Sequence, residues 1–208
     1  MTVLVIWAAV GVHAAILDRI AVTVGKHVLT ESDVIRDLRV AAFIDQRPVD
    51  LSGGEKRKAA DRQVDQYLIL QEAAVSRVPL PTEDSAAAML QQVKSQYGND
   101  TDYRSALARY EIAEDDISSH LLAGIRAMRY TDLRFRPEIQ VSDEELRDFY
   151  NTLAAEWRQK DPEVPSFEAS RDQVEKLLTD QRTAQALDRW LGTQRNETQI
   201  LYRDQVFQ

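Results

Sequence analysis

The stretch Ile16 to Val40 constrains the fold most strongly, because it predicts a two-stranded ribbon that runs straight into a helix. Ile20 to Val24 is short and rich in β-branched residues, and the two-residue turn that begins at Gly25 suits a hairpin. His27 to Leu29 then returns antiparallel, and Asp33 completes a variant of the helix capping box. A lone hairpin is marginally stable in water. The rest of the chain therefore has to cover its apolar face.

Most of the remaining chain is predicted to be helical, since Ala, Leu, Gln, Glu, Arg and Lys dominate and Gly and Pro are few. Apolar residues recur at helical spacing, and the predicted helices span roughly 31–44, 55–77, 82–97, 101–110, 114–135, 142–157 and 166–195. The segment 46–54, with a proline and a glycine pair, is predicted to be a loop. Gln199 to Tyr202 is a strand candidate and the obvious partner for the ribbon. If the two pair, both ends of the chain meet in one small sheet.

Composition excludes several functional classes. The formal net charge is -8, from 34 acidic and 26 basic residues, which argues against a nucleic-acid-binding surface. The chain has no cysteine, so disulfides, thiolate metal sites and cysteine nucleophiles are excluded. No pair of histidines has zinc-site spacing. The carboxylates cluster where helices begin and favour the helix dipole there. Neither a cofactor nor a metal is predicted, and the role of His120 is not expected to be catalytic.

The first residues are typical of a secretory signal peptide. Val3 to Val12 is an apolar run that is too short to span a bilayer. Small residues precede a potential cleavage point after Ala14, which places the signal at residues 1–14. No Lys or Arg precedes the apolar run, and a buried N-terminal strand or a wrongly assigned start codon are the alternatives. On the signal-peptide interpretation, the protein is exported.

Aromatic and methionine residues recur along the predicted helices and suggest an apolar cleft. Met is polarizable and Tyr is amphipathic, so both adapt to varied apolar side chains. The alternative for each of them is ordinary core packing. The candidate peptide-binding residues are Tyr67, Leu70, Met89, Tyr97, Met128, Phe135, Tyr150 and Trp157.

Three stretches of the sequence resemble SurA-like periplasmic chaperones. DRIAVTVGKHVLTESDV is similar to the ribbon and helix start of their N-terminal module. RYTDLRFRPEIQVSDEELRDFY (Arg129 to Tyr150) resembles the end of that module. SFEASRDQVEKLLTDQRTAQALDRWLGTQRNETQILY (Ser166 to Tyr202) resembles their C-terminal helix and strand. The likeness covers most of the mature chain, and trigger-factor-type chaperones use related helical arrangements.

The resemblance implies a mostly α fold, a SurA/trigger-factor-like helical chaperone module with a small β-sheet formed by the N-terminal hairpin and the C-terminal strand. It divides the chain into an N-terminal chaperone module at 15–140 and C-terminal helices and a strand at 141–208 that pack back on it. Most relatives carry a parvulin prolyl-isomerase domain where this chain has only Asn151 to Pro165. Many relatives also have glycine where Glu111 stands. A chaperone core without the isomerase domain is therefore implied.

The implied function is periplasmic and non-catalytic. An apolar groove would hold unfolded outer-membrane or secreted polypeptides, and extended client backbone would add to the open edge of the sheet. No nucleic acid and no stable membrane insertion are expected, and self-association is left open. Two alternatives remain, a prolyl-isomerase-related enzyme with residual activity and an adaptor that binds one folded partner.

Overall fold

The computed structural model describes residues 18–160 and 163–208, so the predicted signal peptide at 1–14 lies outside the described residues. Within them the fold is mostly helical, with a small three-stranded antiparallel sheet, as expected from the sequence. The elements in chain order are β1 (Ile20–Val24), β2 (His27–Thr30), α1 (Glu31–Ile44), α2 (Gly53–Val75), α3 (Glu83–Ser95), α4 (Asp100–Tyr110), α5 (Glu114–Phe135), α6 (Asp143–Lys160), α7 (Phe167–Glu197) and β3 (Ile200–Tyr202). Short 3-10 turns follow α5 and β3, at Arg136–Glu138 and Asp204–Val206.

The sheet joins the two ends of the described chain. β1 lies in the middle and pairs antiparallel with both β2 and β3. The hairpin turns at Gly25, whose φ of 58° lies in the left-handed region that glycine adopts without strain. Two further backbone hydrogen bonds extend the pairing with β3, from Gly25 N–H to the Gln199 carbonyl (2.8 Å) and from Arg203 N–H to the Ala21 carbonyl (2.9 Å). The predicted pairing of the C-terminal strand with the ribbon is confirmed.

Capping interactions fix where α1 and α6 begin. The Thr30 hydroxyl accepts a hydrogen bond from Asp33 N–H, while the Asp33 carboxylate accepts one from Thr30 N–H (3.0 Å). Ser142 and Glu145 make the same reciprocal pair at α6, with Ser142 N–H donating to the Glu145 carboxylate at 2.8 Å. Each box satisfies N–H groups that have no partner within the helix. Both helix starts were predicted from these residue pairs.

Three helices end on a non-glycine residue in the left-handed region. Gln46, Arg77 and Glu111 have φ values of 52°, 54° and 55° and follow α1, α2 and α4. In each case the next N–H reaches back five residues to a helix carbonyl, as in the bond from Ile112 to Leu107 (3.2 Å). This is the Schellman arrangement, in which glycine is usual. Glu111 therefore occupies the position that glycine usually takes in this arrangement.

The glycine pair at the start of α2 is helical, so its prediction as part of a loop is wrong. α2 begins at Gly53, and the chain end lies directly against it. A Cβ atom built on Gly53 would lie 1.9 Å from the carbonyl oxygen of Phe207. No side chain fits in that space. Glycine is needed here because of a contact with Phe207, far along the chain, so the local sequence does not reveal the reason.

Two apolar cores fill the body of the molecule. The first lies between the sheet, α2 and the C-terminal parts of α5 and α7, and it buries Val22, Val64 and Tyr130 completely or almost completely. The second lies between α1, α3, α4 and the N-terminal half of α5, around Phe43 and Ile117, both with no exposed surface. α1 and α5 contribute to both cores. These two helices therefore link the sheet to the α3–α4 layer.

The third core belongs to a helical hairpin. α6 packs extensively against α7 alone among the described elements, and Leu146 and Val174 are buried between the two helices. The Tyr150 ring meets the rings of Trp157 and Phe167 edge-on, with centroids 6.4 and 5.5 Å apart. The C-terminal half of α7 instead packs on α5 and α2. The α6–α7 hairpin is therefore an arm that is anchored in the body by one end of α7. Among the described helices, none is long and apolar enough to cross a membrane.

Candidate functional site

Both outer strands of the sheet have an unpaired backbone edge. Hydrogen bonding alternates between the two neighbours along an antiparallel central strand. The N–H and C=O groups of Val22 and Val24 therefore face β2, whereas those of Thr23 face β3. On β2, the N–H and C=O of Val28 therefore point away from β1. On β3 the same holds for Ile200, and no backbone group in the described residues bonds to either edge. An unpaired edge is a template for an added strand.

The outer face of the sheet carries an apolar row. Val28 and Leu201 lie on either side of Thr23 in the register of the sheet. The two apolar side chains are 41% and 44% exposed. An apolar side chain of an added strand would bury part of this surface. The row and the unpaired edge of β2 thus offer backbone and side-chain contacts to the same ligand.

A cleft of about 330 Å³ borders β2. Its walls come from β2, α1, α2 and α5, with Leu29 and Val40 among the apolar residues and Gln63 and Gln66 as amides. The ring of His27, on β2, stacks on Tyr67 of α2 with centroids 4.1 Å apart and an interplanar angle of 5°. This stack packs the open strand against the helical body.

Two titratable side chains that line the cleft, Asp37 and His120, are in contact. The imidazole Nδ1 lies 3.0 Å from a carboxylate oxygen of Asp37, across 83 residues of sequence. A terminal guanidinium nitrogen of Arg62 lies 3.6 Å from the other carboxylate oxygen of Asp37. The second imidazole nitrogen makes no hydrogen bond within the described residues, so it can donate to or accept from a ligand. No hydroxyl in that part of the chain bonds to it, so the arrangement lacks the nucleophile of an acyl-transfer site.

A polar clasp holds β3 and the end of α7 on α2. The Tyr202 hydroxyl donates to the Asp61 carboxylate (2.5 Å), and Arg195 Nε donates to the Asp65 carboxylate (2.6 Å). The Arg57 guanidinium lies 3.5 Å from the centroid of the Tyr202 ring. Burial and the Asp61 carboxylate raise the pKa of Tyr202 to about 12. The clasp positions the strand that closes the sheet, and sequence reasoning missed it because its members lie far apart along the chain.

The eight candidate peptide-binding residues do not share one surface. Tyr67 and Phe135 belong to the first core, Tyr97 to the second, and Tyr150 and Trp157 to the arm. Phe135 is only 5% exposed and packs against Tyr130 and Trp190. Met89 and Met128 are 40% and 64% exposed, and Leu70 is half-buried. None of the eight lines the cleft beside β2, although Tyr67 stacks on His27, which does.

No group of acidic, histidine or cysteine side chains in the described residues could hold a metal ion. Comparison with models of protein families and with curated proteins gives no match for this sequence. The open edge of β2, the cleft beside it and the exposed apolar side chains are the structural features that bear on function.

Proposed function

We propose that the protein is a non-catalytic, SurA-like periplasmic chaperone that holds unfolded outer-membrane or secreted polypeptides. The observation that carries this proposal is the unpaired edge of β2 beside an open cleft, with Val28 exposed on that edge. In support of it, the sheet joins the two ends of the described chain, and the resemblance implies this arrangement. Edge addition suits clients of many sequences, because every extended polypeptide presents the same backbone groups.

In this mechanism a client strand pairs with the outward N–H and C=O of Val28, and its side chains alternate between the cleft and the outer face. Apolar client side chains then cover Val28 and fill the cleft next to Leu29. Burial of apolar surface stabilises the complex by about 25 cal/mol per Å² before ordering costs. One short strand gives few such contacts. Binding is therefore weak and reversible, as holding a client for later folding requires.

A prolyl-isomerase-related enzyme is the second candidate, and one observation favours it. The Asp37–His120 pair lines the same cleft, and a carboxylate that orients an imidazole is a frequent catalytic arrangement. On the chaperone proposal, the pair instead ties α1 to α5 and shapes the wall of the cleft. A proline-isomerisation assay separates the two. Catalysis that disappears in His120→Ala would favour the enzyme.

The decisive experiment blocks the edge while leaving the sheet intact. Proline in place of Val28 removes an N–H that the β1–β2 ladder does not use, so the hairpin is retained. We expect Val28→Pro to lose suppression of aggregation for several unrelated unfolded clients. Val28→Thr keeps the N–H and the β-branched shape and serves as the matched control. Unchanged suppression in Val28→Pro would contradict edge addition, and activity toward a single client only would favour an adaptor.

A further inference from the structure

A second groove lies between α3 and the N-terminal half of α5. It has a volume of about 450 Å³, within the range of ligand sites. Its apolar lining consists of Ala86, Ala87, Leu90 and Leu122. Ala86 and Leu90 are almost fully buried, at 3% and 8% exposure, and form the floor. Because Ala86 and Ala87 are small, the groove is deep enough for a side chain of a partner to enter between the helices.

The two helices run antiparallel along this groove. Near the start of α3, the Pro81 carbonyl accepts a hydrogen bond of 2.9 Å from Nε of Arg126, which lies just past the middle of α5. Near the end of α3, Lys94 pairs with Glu114 at 2.8 Å, at the start of α5. The beginnings of the two helices therefore lie at opposite ends of the groove.

Each end of the groove consequently carries a carboxylate. Glu83 lies in the first turn of α3 and Asp115 in the first turn of α5, and both line the groove. Neither makes an ion pair or a hydrogen bond within the described residues. Of the nearby cations, Lys94 pairs with Glu114, and Arg126 donates to the Pro81 carbonyl and not to either of these carboxylates. An apolar floor thus lies between two carboxylates that make no ion pair within the described residues.

The length of the groove along α3 indicates what fits. Leu90 lies seven residues beyond Glu83, which is about 10 Å along a helix at 1.5 Å per residue. Asp115 lines the groove beyond Leu90, next to Glu114, which pairs with Lys94. An extended peptide advances about 3.3 Å per residue, so about 10 Å corresponds to roughly three residues. Two cationic side chains three positions apart, with an apolar residue between them, match both the charges and the floor.

We propose that the α3–α5 groove binds a short extended polypeptide segment in which an apolar residue lies between two lysines or arginines. Charge complementarity selects the segment, and Leu90 with Leu122 receives the apolar side chain. This proposal goes beyond the chaperone activity. It uses a different surface from the edge of β2, so either proposal can fail without the other.

A peptide titration tests this directly. A labelled peptide with the core Lys-Leu-Ala-Lys, flanked by Gly and Ser, is titrated with the full chain by fluorescence anisotropy. Peptides with the cores Glu-Leu-Ala-Glu and Lys-Ser-Ser-Lys test the charge and the apolar contact separately. We expect binding only for the first, with affinity that falls as salt is added. Equal binding of all three peptides would overturn the proposal.

Matched variants locate the binding. Glu83→Gln and Asp115→Asn should each weaken the Lys-Leu-Ala-Lys peptide roughly two- to fivefold, as loss of one exposed ion pair does. Asp84→Asn removes the same charge from an exposed neighbour that does not line the groove, and it should leave the affinity unchanged. Ala87→Phe fills the groove from an exposed position and should abolish binding with the helical circular dichroism retained. The same loss in Asp84→Asn as in Glu83→Gln, or full binding by Ala87→Phe, would overturn the assignment.

A second copy of this chain is the other occupant of the α3–α5 groove to test. Sedimentation of the free protein shows whether a second copy fills the groove. Dimers that Ala87→Phe dissociates would overturn the cationic peptide as the occupant. A monomer that binds the peptide at a ratio of one to one supports it.

Discussion

Arg195 is expected to contribute measurably to stability, because it fastens the last turns of α7 to α2. Its Nε donates to the Asp65 carboxylate at 2.6 Å, and one terminal nitrogen donates to the Asp61 carbonyl at 3.0 Å. Hydrogen bonds to charged groups contribute about 1.5–3 kcal/mol each. The Arg195 and Asp65 side chains remain 30% and 32% exposed, so water replaces part of the interaction in a variant. We therefore expect Arg195→Ala to lose about 2 kcal/mol of unfolding free energy.

Urea unfolding followed by circular dichroism measures this loss. For a chain of this length, about 2 kcal/mol also lowers the melting temperature by roughly 4–8 °C. Arg189→Ala is the matched control, since Arg189 is exposed on the same helix and makes no ion pair within the described residues. A double-mutant cycle with Asp65→Ala isolates the pair. Equal unfolding midpoints for Arg195→Ala and Arg189→Ala would refute the reasoning, because the clasp would then contribute nothing.

Three further predictions concern the backbone and pH. Arg77→Gly should raise the unfolding free energy by roughly 0.5–1 kcal/mol in urea, because the left-handed conformation costs about 1–2 kcal/mol for other residues and glycine loses part of this in entropy. Gln96→Gly, at a right-handed helix end, should lower it instead. The pKa of Tyr202 is raised from 10.0 to about 12, so its stabilising effect is complete below pH 10 and lost as pH rises through 12. Tyr202→Phe should flatten the fall in the urea midpoint over that range. The Arg182 guanidinium and Ser142 lower the pKa of Glu145 from 4.5 to about 2, so its effect is complete above pH 4.5 and lost as pH falls towards 2. In Glu145→Gln, the urea midpoint should lose that part of its dependence on acid.

Local patterns were sufficient to predict the elements of this fold. Two helix starts can be predicted from four-residue capping boxes, Thr30 with Asp33 and Ser142 with Glu145. Both boxes form as expected. The hairpin is equally local, because Gly25 sits between two β-branched runs. Pairing of β3 with β1 was predictable for a different reason. Few other segments had strand character, so the ribbon had one obvious partner.

The surfaces were much harder to predict, because periodicity reports which face of a helix is apolar but not what covers it. Phe135 and Met128 are seven residues apart on α5, and both were candidates for a groove. Phe135 is 5% exposed and Met128 is 64% exposed. The difference depends on where the C-terminal half of α7 lies, with Trp190 against Phe135. The Asp37–His120 contact joins residues 83 positions apart, and no spacing rule in the sequence indicates it.

The two proposed binding surfaces are neighbours on α5, which gives them a joint consequence. Ser119 lines both the cleft beside β2 and the α3–α5 groove, with His120 on one side and Ser118 on the other. A single extended polypeptide that pairs with β2 and places its cations in the groove makes its second contact within the same molecule. The effective concentration of that contact is then about millimolar for a short linker. A client with both features should therefore bind more tightly than the two separate peptides combined at equal concentration. Loss of this gain in Ala87→Phe, with Val28 unaltered, would show that the two surfaces act on one chain.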